Sequence, residues 1–543
     1  MSLPYAFRLL RSLAMLLALL SAARIALADT ELPLAALQGL DFKAKAAAIS
    51  AIADSGSPRA EAILNALTDG RLMLRKSDQR FVIVAAAEDP ATLTDARDGS
   101  ALGSEPLAGL KKIVINNQLR LQLRAELARM QLANPDPHAR RAAVEALAAD
   151  PTPAVVASLV EAAPKEQDED VARAMQVVIG LAQIGDADPA KRLEGVKAVT
   201  GSMLGEVHNR LTQLVARNPA GEPLEPSMDV RIAAGAALRA IDERRARYEL
   251  IQTVFFGLSL GFVLVLAATG LAITFGVMGV INMAHGEMMM LGAYTTYVVQ
   301  QALPNHIEAS IFIAIPAAFL VAGLVGIVIE RGIVRFLYGR PLETLLATFG
   351  VSLFLQQVVR SIFSPLNRAV ATPQWMSGQL MVGDALALTW NRLYIIIFSA
   401  LVFAALLALL RFTALGLQVR AVSQNRAMAR AMGVRAGWVD ALTFGLGSGV
   451  AGLAGVALSQ LTNVGPNLGQ SYIIDSFMVV VFGGVGNLWG TLVAGLSLGI
   501  ANKFLEPFAG AVLAKILVLV FIILFIQKWP RGLFPQRGRS AEA

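Results

Sequence analysis

Two kinds of periodicity divide the 543-residue chain. From Glu249 onward, apolar residues run in stretches long enough to cross a bilayer, since about 20 residues of helix cover a hydrocarbon core of ~30 Å. Spans are read near 252–275, 285–303, 309–330, 343–363, 393–411, 438–460, 471–484, 488–504 and 511–528, two of the short ones being open to reading as one re-entrant pair. Residues 29 to 245 follow another rule: they are Ala-rich, charged and helical in pattern. Stretches beginning at Lys43, Pro137 and Asp229 set small apolar residues three and four apart, and the first two then meet Ser57-Pro58 or Asp150-Pro151. That is how stacked helix pairs are written, so the region is similar to HEAT-type repeats with irregular spacing. Lys76 to Val84 reads as one strand or hairpin arm. The predicted fold class is all-α: a polytopic helical membrane domain of about eight or nine spans preceded by an α-helical, HEAT-like repeat domain.

The first 28 residues carry Arg8 and Arg11, an apolar run from Leu13 to Leu20, and Ala26-Leu27-Ala28 before Asp29. Those are the three parts of a secretory signal peptide. Arg24 interrupts the approach to the cut site and leaves an uncleaved anchor as the other reading. Either one puts residues 29–245 outside the cytoplasm.

Charge placement orients the rest. Residues 250–543 carry a net +8, residues 29–249 a net −4 and the first 28 residues +3. Arg331, Arg335 and Arg340, then Arg411, Arg420, Arg426, Arg430 and Arg435, then Lys528, Arg531, Arg537 and Arg539 all fall in loops that a nine-span count places inside. This is the positive-inside bias, and it predicts a cytoplasmic carboxyl end. Arg244, Arg245 and Arg247 run against it, but a long exported domain largely escapes the rule. A basic pI beside apolar spans, without aromatic interleaving, points to lipid and away from nucleic acid. All five tryptophans lie in this half, mostly at span ends, as interfacial anchors do. The absence of cysteine excludes disulfides, thiolate metal sites and a cysteine nucleophile. His138 and His208 have no second ligand at metal spacing, and no acid/base or nucleophile set has usable spacing, so the chain reads as no enzyme and implies no cofactor.

Candidate chemistry sits where apolar spans are interrupted. Gly276-VMGVIN and Gly483-GVGNLWG break spans in the first and second parts of the membrane half. Paired breaks at corresponding points are the sequence mark of a mid-membrane path, because unwound backbone frees amide and carbonyl groups there. An ionisable group at that depth reads by default as part of a route. The path candidates are Asn282, His285, Glu287, Thr295 and Asn487. For Asn282 and Glu287 the plainer alternative is helix capping. Gln356, Gln357 and Asp475 are further polar groups at membrane depth, with no role assigned. Glycine pairs at four-residue spacing, such as Gly445 and Gly449, predict close helix packing.

The run FGVMGVINMAHGEMMMLGAYTTYVVQ resembles the first paired segments of permease subunits of the branched-chain amino-acid branch of ABC importers, and within that branch its urea permeases. The resemblance covers residues 250 to 535. Residues 411–437 resemble the coupling segment of the same family through Thr413, Leu415, Gly416, Arg420, Ala421, Gln424, Asn425, Ala429 and Gly433. A basic loop held by lipid headgroups is the alternative. No G-x-x-x-x-G-K-[ST] loop occurs in the 543 residues, so energy has to be imported. What the resemblance implies is an ATP-driven permease for urea or short amides, with branched-chain amino acids as the alternative solute. It works with two ATPase subunits, a second related permease and a periplasmic solute-binding protein. A passive or ion-coupled channel, and a membrane-tethered scaffold, are the rivals from other classes. The exported region is outside the resemblance and reads as a docking face for a partner.

Overall fold

The computed structural model describes residues 32–39, 41–85, 90–382 and 386–534. The signal-peptide reading of residues 1–28 lies outside them. The chain forms two compact units, Met1–Glu243 and Arg244–Ala543.

The first unit corrects the all-α expectation. Helices α1 (Phe42–Asp54) and α2 (Ala60–Thr68) precede strands β1 (Leu72–Arg75), β2 (Phe81–Val84), β3 (Ala91–Asp95), β4 (Ala101–Glu105) and β5 (Leu110–Lys112). These strands form one antiparallel sheet in the order β4-β3-β2-β1-β5. The segment read as a single strand is therefore β2, flanked on both sides. The sheet is buried on both faces: Leu72, Leu74 and Phe81 join the core under α1 and α2, while Val82, Val84, Leu93 and Leu110 form a second core. Strands of three to five residues contribute only two or three inward side chains each, too few for alternation to stand out from a helical pattern.

Helices α3 (Asn117–Gln131), α4 (Pro137–Leu147), α5 (Pro153–Ala162), α6 (Glu169–Gln183), α7 (Pro189–Val199) and α8 (Gly205–Val215) complete this unit. Their starts are written in the chain: Asn116, Asp136, Thr152, Asp168 and Asp188 cap α3 to α7 through side-chain oxygens, and Pro137, Pro153 and Pro189 supply the preset φ of the first turn. One local device recurs. Arg140 donates to the carbonyls of Asn134 and Pro135 and grips Glu166 at 2.8 Å. Arg192 does the same with Asp186, Ala187 and Glu225.

In the second unit the helices are α9 (Met228–Met278, whose later part belongs here), α10 (His285–Ala302), α11 (Ile307–Gly332), α12 (Pro341–Phe363), α13 (Trp390–Phe412), α14 (Ala414–Gln424), α15 (Arg426–Ala431), α16 (Ala436–Ser459), α17 (Leu468–Gly483) and α18 (Leu488–Lys528). A two-stranded hairpin, β6 (Gln379–Val382) with β7 (Leu386–Thr389), precedes α13. Among the described residues six helices, α9, α11, α12, α13, α16 and α18, are long and apolar enough to cross a membrane. The other expected spans fall on α10, on the 16-residue α17 and on the second part of α18, which Pro507 and a non-helical Gly510 divide.

α16 is the centre. A Cβ on Gly447 would stand 2.6 Å from the Gly270 carbonyl oxygen of α9, one on Gly452 2.7 Å from the Ala318 carbonyl of α11, and one on Gly292 of α10 2.6 Å from the Gly452 carbonyl carbon. Three helices thus approach α16 backbone to backbone, which only glycine permits and which supplies dispersion where lipid removes the hydrophobic drive.

Candidate translocation site

Helix α9 ends at Met278 and α10 begins at His285, with Gly279 at φ 69° opening the turn between them. Gly279 is exposed and Asn282 buried, and the break is tied to α12 through Thr348. Thr348 accepts the Met283 N–H at 3.1 Å, and Asn282 accepts the Ala284 N–H at 3.0 Å. Asn282 thus closes the turn ahead of α10, whose N-cap, Ala284, carries no side-chain cap. His285 Nε2 lies 2.8 Å from the Ala267 carbonyl. Because a carbonyl only accepts, Nε2 carries the proton and Nδ1 keeps a lone pair.

Glu287 lies in the first turn of α10, where a negative charge is favoured, and its hydrogen bonds go to another helix. One carboxylate oxygen accepts from Ser352 at 2.9 Å and from Gln356 at 2.8 Å, both on α12. Asn282, His285 and Glu287 are each no more than 1 % exposed, but they point to different neighbours: His285 to α9, Glu287 to α12, and Asn282 to the turn ahead of α10. Asn282 Nδ2, His285 Nδ1, the second oxygen of Glu287 and the hydroxyl of Tyr294 have no hydrogen-bond partner among the described residues. An unanswered buried polar group costs about 1–3 kcal/mol, so a cluster of them marks a place kept polar for a reason other than packing.

Thr295 stays apart: its hydroxyl bonds back to the Leu291 carbonyl at 2.7 Å within α10. Asn487 is the cap of α18, accepting from Trp489 and Gly490 at 3.1 Å each and donating to the Phe534 carbonyl. Gln356 belongs to the site, whereas its neighbour Gln357 is exposed. Asp475 on α17 pairs with Lys515 on α18 at 2.8 Å. Thr348 and Ser352 are functional positions that reading for charges and breaks overlooks. Their signal is the four-residue spacing Thr344, Thr348, Ser352, Gln356, one polar stripe on an otherwise apolar helix.

The two breaks meet. A Cβ on Gly276 would lie 2.6 Å from Gly486 Cα, and Gly486 itself holds φ 80°, so neither position admits a side chain without strain. Beside this crossing opens a cavity of about 500 Å³ walled by Gly276, Gly486, Asn487, Trp489, Gly416 and Arg420. The second break is thereby joined to the basic segment.

That segment is two short helices, α14 and α15. Gly416 sits against the Leu410 carbonyl, and Arg420 donates to the same carbonyl, closing the turn from α13. Asn425 caps α15 by accepting from Met428 at 2.9 Å. Gly433, at φ 87°, ends α15 with its N–H on Arg430 and the next on Ala429, a Schellman stop. Val419, Val422 and Ala429 face inward onto Ala436 and Val439, while Gln424, Leu417, Met428 and Met432 face out. Arg426 binds the buried Asp440 through both carboxylate oxygens and lies 4.0 Å from the Tyr338 ring, which ties α15 to α16.

A bundle of membrane-length helices around a buried polar break, with an arginine-bearing segment on glycine stops, defines a polytopic membrane permease. The family model described as "Branched-chain amino acid transport system / permease component" matches residues 253–526, and the chain belongs to that family. Among similar proteins, the high-affinity branched-chain amino acid transport system permease protein LivH of Escherichia coli K12 is 30% identical over 293 residues, 52% of this chain and 94% of that protein. LivH of Salmonella typhimurium LT2 is 29% identical over 293 residues with the same coverage, and BraD of Pseudomonas aeruginosa is 28% identical over 296 residues, 53% of this chain and 96% of its own length. The family match lies wholly within the second unit.

Proposed function

We propose that this chain is the permease subunit of an ATP-driven importer in a bacterial inner membrane and that its solute is urea or a short amide. The observation that carries the reading is the single cavity bounded by both glycine breaks and by Gly416 and Arg420 of the basic segment. A movement of that segment reaches the path directly. The segment presents Gln424, Leu417, Met428 and Met432 outward, a surface for an ATPase groove. Two ATPase subunits, a second related permease and an exported solute-binding protein complete the assembly. ATP-driven closure of the cytoplasmic pair then tilts α14 and α15 and switches the path from outward-open to inward-open. The first unit stands on the exported side as a docking face, and the carboxyl end is cytoplasmic.

The solute assignment rests on charge. At Glu287 the groups are a carboxylate, the Ser352 hydroxyl and the Gln356 amide, while Arg360, one turn beyond Gln356, is engaged by Asn467 at 2.7 Å. A zwitterion needs a cation for its carboxylate; urea needs only donors and acceptors. A second reading, branched-chain amino acids, is favoured by what the relatives are named for. The test is uptake of labelled urea and labelled leucine into vesicles holding the full transporter, with intact ATPase subunits or with their phosphate-binding lysine replaced. ATP-dependent urea uptake inhibited by acetamide and not by leucine is expected. Leucine uptake alone moves the assignment to the second reading, and uptake indifferent to the ATPase removes the importer reading altogether.

A further inference from the structure

Helices α10 and α12 meet along a polar seam. Against α16 and α17, α10 packs backbone to backbone, through Gly292 on Gly452 and through Gly286 on Gly469. Against α12 it is held by side-chain hydrogen bonds: Met283 to Thr348, then Glu287 to Ser352 and Gln356, with the Tyr294 ring 4.8 Å from that of Phe363, tilted by 32°, above them. Both helices run the same way along this seam, so polar contacts follow one another at rising height. Glu287 and Tyr294, seven residues apart, share one face of α10.

We propose that this seam is the selectivity station of the path and that the second carboxylate oxygen of Glu287 takes an N–H of the solute. The assignment rests on the permease reading above and adds the ligand chemistry. The Ser352 hydroxyl and the Gln356 amide both donate to the same oxygen, which fixes the carboxylate plane and leaves the other oxygen buried with no donor. The seam therefore holds an unanswered acceptor, the complement of a small molecule that carries N–H groups. An ammonium group shares the N–H chemistry and is separated from an amide by the test.

The experiment is inhibition of ATP-driven uptake in the reconstituted full transporter by a series that removes N–H groups stepwise: urea, N,N′-dimethylurea and tetramethylurea, with acetamide and leucine as further arms. In the wild type, inhibition falls with N–H number. Glu287→Gln keeps an oxygen for Ser352 and Gln356 but turns an N–H₂ toward the solute, so half-saturating urea rises by at least about tenfold while tetramethylurea gains on it. A loss equal across the whole series at unchanged half-saturation makes Glu287 a packing group and overturns the station. Ser352→Ala, which keeps the carboxylate, gives a shift in the same N–H order of about two- to fivefold; a uniform loss there overturns it as well, which covers an unstable Glu287→Gln protein. If leucine displaces the label and the ureas do not, the N–H partner is an ammonium and the amide assignment is withdrawn. A wild type without ATP-dependent uptake of any solute fails the importer reading, a result separate from the ranking.

Discussion

The glycine seam of α16 is open to a direct test. In Gly292→Ala the new Cβ would meet the Gly452 carbonyl oxygen, with the carbonyl carbon at 2.6 Å and Cα at 2.7 Å. All three obstacles are backbone, so no rotamer change relieves them, and α10 has to part from α16 by about 1 Å to restore van der Waals spacing. Overpacking of this kind costs about 1–3 kcal/mol, and a backbone obstacle puts it at the upper end. Against this, alanine gains ~1 kcal/mol of helix propensity over glycine. A control removes that offset: Gly350 is also a helix-interior glycine, in α12, and a Cβ there meets nothing within 4 Å. The propensity gain is common to both variants, so their difference isolates packing at about 3 kcal/mol. At ~2–4 °C per kcal/mol for a domain of this size, Gly292→Ala melts roughly 6–12 °C below Gly350→Ala. The assay is loss of monodisperse protein in one detergent at one heating rate, since unfolding of such proteins is read as a rate. Two variants melting within 2 °C of one another refute the backbone contact between α10 and α16.

Two further predictions concern ion pairs. In the first unit the Arg140 guanidinium, hydrogen-bonded to Glu166, holds that carboxyl at about 2, below its ordinary 4.5. A depressed folded value means the stabilisation is fully present above the unfolded value and is lost as pH falls from about 4.5 toward 2. Chemical denaturation of the full chain followed by a first-unit probe is therefore expected to show an acid slope in that window that Glu166→Gln flattens. In the second unit Asp440 is 3 % exposed and its partner Arg426 23 %. Arg426→Met leaves a buried carboxylate unpaired, at a cost of about 3–5 kcal/mol, while the double change Arg426→Met with Asp440→Leu recovers most of it. A double variant that melts no higher than the single one refutes the pairing.

What the sequence reveals depends on how many residues carry each signal. A span is announced by about 20 consecutive apolar positions, so each expected span coincides with a helix. The breaks were legible for the same reason in reverse: Gly276, Gly279, Gly484 and Gly486 interrupt runs that otherwise have nothing to stop them. The sheet was not. Ala101 to Glu105 is a strand with no fully buried side chain, and β1 and β2 are joined by a turn that turns on Gln79 at φ 59°, a residue that does not announce the left-handed conformation as glycine does. Residues 29–245 therefore read as helix apart from one strand or hairpin arm at Lys76 to Val84, although five strands pair there.

At the site, sequence reading named Asn282, His285 and Glu287 because charge and amide groups are rare in lipid-grade runs. Thr295 was also named, and its hydroxyl satisfies itself on its own helix at the Leu291 carbonyl, which is legible only in the structure. Thr348 and Ser352 escaped notice for the reciprocal reason. Threonine and serine are unremarkable in a membrane helix; the Met283 N–H that Thr348 accepts and the Glu287 carboxylate to which Ser352 donates are tertiary partners.

The two seams of α10 differ in what opening them would lose. Separating Gly292 from Gly452 forfeits close dispersion between backbones, and nothing in lipid or in a solute replaces it. Separating Glu287 from Ser352 and Gln356 exchanges hydrogen bonds, and a polar solute or water entering the seam returns them nearly one for one. The outward faces of α12, with Leu342, Leu346, Phe354 and Ile362 exposed, add no packing that would hold it closed. If the proposed path alternates between two openings, its low-cost movement falls at α12, with α10 and α16 held by their glycines. Under the same proposal the acceptor oxygen of Glu287 stays with α10, where a binding group keeps its geometry while the wall opposite it moves.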